Sequence, residues 1–190
     1  MPEVASVTVH GNGSNTIIHI ADWHFVPREH FAAELPKDAT EAEIDELYAE
    51  FLESVAAVQA QQCVVLRELA PQRVWLERLT DEQVDDFRGL CEAIRDVRSN
   101  PGPLAEMMES DLTEMGAVAR LIVDGHEIEV MAAENPELLR LGFPLRDGFT
   151  EADEERRESE MIRRIVGVSE SPIVVILGDD HDLNDNLLDG

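Results

Sequence analysis

Lysine is all but missing from this chain, with Lys37 the only one among 190 residues. Lys and Arg together total 15 against 41 Asp and Glu, for a formal net charge of −26. Such a surface repels phosphate backbones, so neither nucleic acid nor an anionic membrane is an expected partner. It also suits a salt-rich environment. Cysteine is scarce as well. Cys63 and Cys91 are the only two, and no CxxC occurs, so neither a zinc ribbon nor a thioredoxin-like centre is predicted. Both thiols fall in stretches that read as helix, and both are expected in the core of a protein kept in a reducing compartment. No apolar run reaches the roughly 18 residues of a membrane-spanning helix. The start, Met1-Pro2-Glu3-Val4, has neither the basic head nor the apolar core of a signal peptide. The expected location is cytoplasmic.

What is present is enough to fold. Apolar residues make up 44% of the chain, and the length suits one α/β domain over residues 1–190, with a loose arm at 1–15 and an acidic tail at 183–190. Pro172-Ile-Val-Val-Ile-Leu-Gly178 is a short, mostly β-branched run between Pro and Gly. It reads as a strand buried on both faces, the pattern of a parallel sheet covered by helices. Thr16 to Asp22 is a second such run. Arg73 to Glu77 and Glu127 to Ala132 read as two more strands, and Ala5 to Val9 as a short one within the arm. Thr40-Glu-Ala-Glu43, Thr80-Asp-Glu-Gln83 and Thr150-Glu-Ala-Asp153 mark helix starts, each placing a side chain on free backbone N–H groups. The helices expected behind them end near Leu69, before Asn100-Pro-Gly-Pro103, and near Val166. Leu104 to Asp124 reads as one or two helices, and a short helix follows Pro136. The predicted fold is a mostly parallel sheet of about four or more strands flanked by helices.

In a parallel sheet all carboxyl ends share one edge, and ligands bind there. Each predicted strand delivers chemistry to that edge: Asp22 and His24, then Glu77, then Glu134, then Asp179, Asp180, His181 and Asp182. Two imidazoles with carboxylates suit a divalent metal such as zinc or manganese, held by His24, His181 and Glu77. The same groups suit metal-free acid–base chemistry, with Glu77 or Glu134 activating water and His24 and His181 polarising the substrate. His19, inside its strand, reads as a core histidine, and Trp23 is expected to pack in the core. Met107, Met108 and Met115 form a soft helical stripe, by default core, of the kind that can also line a haem or apolar-ligand pocket.

These pieces resemble a known group. Gly178-Asp-Asp-His181 matches a GxxH motif, Val74-Trp-Leu-Glu77 resembles a strand ending in glutamate, and Ala21-Asp-Trp-His24 matches a first GxxH with Ala21 in place of Gly. Taken in chain order, from Ala21 to His181, they resemble the superfamily that joins the TraB/PrgY and TIKI proteins, the haem-binding protein ChaN and the erythromycin esterases. The resemblance spans roughly residues 16–187. It implies an α/β fold with a His/Glu cleft, used in different members for metal-dependent proteolysis, ester hydrolysis or haem binding. The expected function is therefore a metal-assisted or His/Glu-dependent hydrolase of a small molecule or peptide, with a non-catalytic haem or small-ligand binder as the alternative. Asp22-Trp-His24 is also a DxH, and Gly178 to Asp182 fits GDxxD, as in metallophosphoesterases. A metallophosphoesterase is the third and less favoured reading, because spacing argues against it: those motifs stand close together in that family and at opposite ends here.

Overall fold

The computed structural model describes residues 6–10, 16–98, 103–141, 150–167, 172–178 and 181, with side chains for all of these but 103–107, 109, 110, 141 and 151. The candidates Asp179, Asp180 and Asp182, the side chain of Met107, the acidic tail and most of the arm lie outside the described residues. The elements in chain order are β1 (Val7–His10), β2 (Ile17–Asp22), α1 (Arg28–Ala33), α2 (Glu41–Leu69), β3 (Arg73–Thr80), a single 3₁₀ turn (Asp81–Gln83), α3 (Val84–Arg98), α4 (Pro103–Val123), β4 (Glu129–Glu134), α5 (Pro136–Leu141), α6 (Glu151–Val166) and β5 (Ile173–Gly178). The chain divides into two compact units. Asp22–Ala70 and Cys91–His126 belong to one, while Ser6–Ala21, Pro71–Leu90 and Glu127–Gly190 belong to the other. No helix among the described residues is long and apolar enough to cross a membrane.

The first unit is helical. Thr40 caps α2, accepting from the Glu43 N–H while the Glu43 carboxylate takes the Thr40 N–H. The helix runs unbroken to Leu69, where Ala70 turns it off in the left-handed region at φ 44. Phe31 of α1 packs on Tyr48 and Phe51 of α2. Between α2 and α4 the contact is shaped by one glycine. Gly116, at φ 83 and ψ −171, interrupts α4 in a conformation that a side chain would resist. Side chains of α2 bond to carbonyls beside the break: Gln59 Nε2 donates to Thr113 O at 2.7 Å, and Cys63 Sγ to Ala117 O at 3.5 Å. Arg120 donates to both Gln59 Oε1 and Thr113 Oγ1, at 3.0 and 2.8 Å. Cys63 and Cys91 are buried free thiols, as expected. Trp23 is not a core residue; it is 41% exposed. It follows β2, and lies outside the continuous run of buried residues from Ile17 to Ala21.

The second unit holds the sheet, in the order β1-β2-β5-β3-β4. β3 pairs in parallel with both β4 and β5, and β1 is antiparallel to β2. The α/β architecture with a mostly parallel sheet is therefore as the sequence implies, and the short strand read within the arm forms β1 at one edge. Every residue of β5 is buried. One sheet face packs Ile17, Trp75, Ala133, Val175 and Leu177 against Met161, Ile162 and Ile165 of α6. β3 and β4 both run beyond their predicted ends. β3 continues through Leu79 and Thr80, both buried, after an irregularity between Leu76 and Thr80. β4 starts and ends two residues later than expected, because Gly125 makes its turn at φ 98 and Glu129 then bonds to Arg73 across the first rung. That shift makes Glu134 the last residue of the strand.

His19 is a buried core histidine. Its Nε2 lies 3.3 Å from the Leu177 carbonyl, which can only accept, so this nitrogen carries the proton. Burial holds its pKa below the ordinary imidazole value, partly opposed by the Leu177 bond and reinforced by His10 and His181. A lowered histidine pKa means the unfolded chain takes the proton more readily. Stability is then complete above the unfolded value near 6.5 and falls as pH drops below it. His19→Gln is expected to flatten this acid limb, measured as urea midpoints between pH 7 and pH 5.

Candidate functional site

At the carboxyl ends of β3, β4 and β5 the second unit gathers a set of charges with little water around it. Glu77 directly follows the regular part of β3, Glu134 ends β4, and His181 follows the Gly178 that ends β5. Helix α6 supplies the rest. Glu154, Arg157 and Glu158 lie at spacings of three and four, which puts them on one helical face. Further along that face are Met161, Ile162 and Ile165, fixed in the core against the sheet. The apolar end of α6 thus sets the height at which its charged end meets the strand ends.

Arg157 is the hinge of the arrangement. Its NH2 bonds to Glu77 Oε1 at 2.6 Å and to Glu134 Oε1, its Nε lies 3.1 Å from Glu134 Oε1, and its NH1 lies 3.1 Å from Glu154. Burial opposes the guanidinium charge, but the bonds and charges of Glu134 and Glu77 outweigh it and hold its pKa above the ordinary arginine value. Glu77 faces three ways. Its Oε2 accepts from the Gly178 N–H at 2.6 Å, while Oε1 meets Arg157 and lies 3.2 Å from His181 Nε2. Glu134 also receives the Arg78 N–H at 3.4 Å. Arg78 itself sits at φ 60, left-handed for a non-glycine residue, at the irregularity in β3. Strain of that kind, of order 1–3 kcal/mol, persists where the surroundings over-determine the backbone.

The His181 ring is held at both nitrogens. Nε2 faces Glu77, and Nδ1 lies 2.5 Å from Glu158 Oε1 and 3.8 Å from Glu154 Oε1. Burial works against its charge. The bonds to Glu158 and Glu77 more than reverse this, and the pKa is raised to about 10. At neutral pH the ring is an imidazolium that donates from both nitrogens. Burial pushes the Glu154 carboxyl up, with Arg157 and His181 holding part of that rise back. Glu154 is also the most solvent-open carboxylate of the set, at 32% exposure against 11% for Glu158 and 4% for Glu77.

No family model, curated protein or solved structure matches this chain. The site therefore has to be read from its own chemistry.

Three of the four residues singled out in the sequence, Glu77, Glu134 and His181, are joined in this network. The fourth, His24, belongs to the other unit, where its Nδ1 lies 3.1 Å from Asp22 Oδ2. Glu77 and Glu134 are not surface carboxylates; both are buried against Arg157. Arg157, Glu154 and Glu158 are not apparent from strand ends. Their signal lies in α6, where Arg157, Met161 and Ile165 recur every four residues and so place a charge on an apolar face. Glu154, Glu158 and His181 also offer three ligand atoms within 4.8 Å of one another. Two carboxylates and an imidazole are a fitting donor set for zinc or manganese. The metal would differ from the one expected by sequence in using α6 rather than His24 and Glu77.

Proposed function

We propose that the protein is a His/Glu-dependent hydrolase, acting on an ester or amide at the outer side of the β3–β5 strand ends. The observation that carries this reading is the His181 imidazolium clamped between a deeply buried Glu77 and the less buried Glu158 and Glu154. Glu77 fixes the inner nitrogen and keeps the ring charged. In this reading a substrate meets the ring at the outer Nδ1–H by displacing Glu158. A carbonyl oxygen that takes the place of Glu158 on Nδ1 would be polarised by a full positive charge in a poorly hydrated setting. Glu154, with its raised pKa and its opening to solvent, is the base that takes a proton from the attacking water. His181 then hands a proton to the leaving group, and Glu77 and Arg157 keep the ring in place throughout. In this scheme Glu77 and Glu134 are structural partners of Arg157 and His181, and the base is Glu154.

The test is a panel of small aryl esters and short peptides with purified protein. Glu154→Gln is expected to lower turnover by about 10²-fold, the lower end of what general-base catalysis contributes, with KM little changed. Turnover that survives both Glu154→Gln and His181→Gln would end the proposal.

A metal-assisted version of the same reading draws on the Glu154–Glu158–His181 set. A divalent ion there would act as a Lewis acid on the carbonyl. The imidazolium has to give up a proton before Nδ1 can serve as a ligand. Zinc uptake should therefore release protons and strengthen as pH rises, and Glu158→Gln should weaken it. Calorimetry in two buffers of different ionisation enthalpy measures both. Binding with no proton release would place the metal elsewhere.

A further inference from the structure

We propose that substrates of this site carry a primary ammonium beside the carbonyl that is attacked, as amino-acid esters, amino-acid amides and peptide N-termini do, and that Glu158 is the residue that selects them; the selection rests on the hydrolase reading above. Among the described residues the Glu158 carboxylate bonds to His181 Nδ1 at 2.5 Å. Once a substrate oxygen takes that place, Glu158 keeps its charge and loses its cation. Its side chain is 11% exposed, and a bound substrate covers it further, so water does not make up the loss. Arg157, the other cation here, is committed elsewhere. Its Nε and NH2 serve Glu134 and Glu77, and its NH1 lies 3.1 Å from Glu154. Glu154 adds a second negative charge, since ligand atoms of Glu154, Glu158 and His181 lie within 4.8 Å of one another.

The span is that of an α-amino acid. Standard bond lengths put an α-ammonium about 3 Å from the carbonyl oxygen of its own residue. An oxygen that replaces Glu158 on Nδ1 therefore brings its ammonium to the carboxylate it has displaced. The formal net charge of −26 draws cations toward the protein as a whole. With Glu158 on the ammonium, Glu154 is left to face the attacking water. Water adds its oxygen to the carbonyl carbon and gives a proton to Glu154. The bond to the leaving oxygen or nitrogen breaks, that atom takes a proton from His181, and Glu154 returns its proton to the ring. The products are a free amino acid and an alcohol or amine.

Two measurements at pH 7, where an α-amino group of ordinary value near 8 is mostly charged, use ligand pairs that differ only in the ammonium. NMR titration of the whole protein with L-alaninamide and N-acetyl-L-alaninamide reads binding without turnover. The free amine is expected to bind about 30-fold more tightly, the lower end for a buried charge pair, and Glu158→Gln is expected to remove that preference. Equal binding of the two by the unaltered chain overturns the proposal whether or not the variant folds. A preference that survives in folded Glu158→Gln overturns it as well. The second measurement compares hydrolysis of L-alanine p-nitroanilide with that of its N-acetyl form. Turnover of both at similar kcat/KM overturns the ammonium requirement and leaves the hydrolase reading standing. Preferential binding of alaninamide with turnover of neither anilide nor ester overturns the hydrolase reading and supports Glu158 as the ammonium site.

Discussion

Replacing Arg157 by leucine is expected to cost about 3–5 kcal/mol of stability, the penalty for breaking a buried ion pair by removing one partner. The argument rests on what is left behind. Glu134 has no exposed side-chain surface and Glu77 has 4%, and both accept from the same guanidinium. Without it, two carboxylates face each other in a poorly hydrated space, and one must take up a proton for the fold to survive. The loss should therefore be smaller at low pH than at neutral pH, opposite in sign to an ordinary acid denaturation. Adding Glu134→Gln should recover part of the loss, because the second variant removes a charge that has no partner. Urea unfolding at pH 5 and pH 7.5 for the single and double variants measures all three statements. A loss under about 1 kcal/mol, the usual value of an exposed pair, would show the network to be a surface feature.

The second large effect is alkaline. The His181 pKa stands at about 10 in the fold against an ordinary value of 6.5. A raised value means the folded protein holds the proton more tightly, so the stabilisation is fully present below 6.5 and is lost as pH rises toward 10. The whole difference corresponds to an upper limit of about 5 kcal/mol, at 1.36 kcal/mol for each tenfold step. The thiols act in the same direction. Burial holds both of them up, Cys91 to about 11, so the unfolded chain ionises first and gains on the folded one above the ordinary thiol value. The informative quantity is thus the difference between the protein and His181→Gln. Between pH 6 and pH 10 the unaltered chain should lose more stability than the variant, and the two curves should run parallel below pH 6. Parallel curves over the whole range would mean that His181 does not carry its charge into the fold.

How much of this is visible in the sequence depends on the range of the forces involved. The three threonine caps are local devices, closed within four residues, and all three form as read. The β5 strand is visible because a doubly buried strand must be apolar at every position. Trp23 reads as a core residue but is exposed, because a large aromatic side chain after a strand gives no sign of whether anything covers it. The end of β3 is not legible in the sequence, because Leu79 and Thr80 resume the strand only through pairing with β4, a partner 54 positions away at the Thr80–Glu134 rung. The network around Arg157 joins residues far apart in the chain, and its charges look like solvent-facing ones until helical spacing sets Arg157 in line with Met161 and Ile165. Strand ends give the carboxylates; only tertiary packing gives the cation that unites them.

The irregularity in β3 bears on how this site can be altered. From Leu76 to Thr80 the strand advances four positions while β4, from Ala132 to Glu134, advances two. The surplus is an even number of residues, so the inward and outward faces keep their parity on either side of it. Glu77 and Arg78 lie within that irregular stretch. The position of the Glu77 carboxylate is therefore a matter of chain length as well as of residue identity. Substitutions at 78 alter only the strain at φ 60, and glycine there should be accepted readily. Loss of two residues would restore an even ladder and leave the strand stable while withdrawing its carboxylate from Arg157 and His181. Loss of one would turn Leu79 outward. A two-residue deletion is thus a way to withdraw the Glu77 carboxylate while keeping Leu79 and Thr80 in phase with β4.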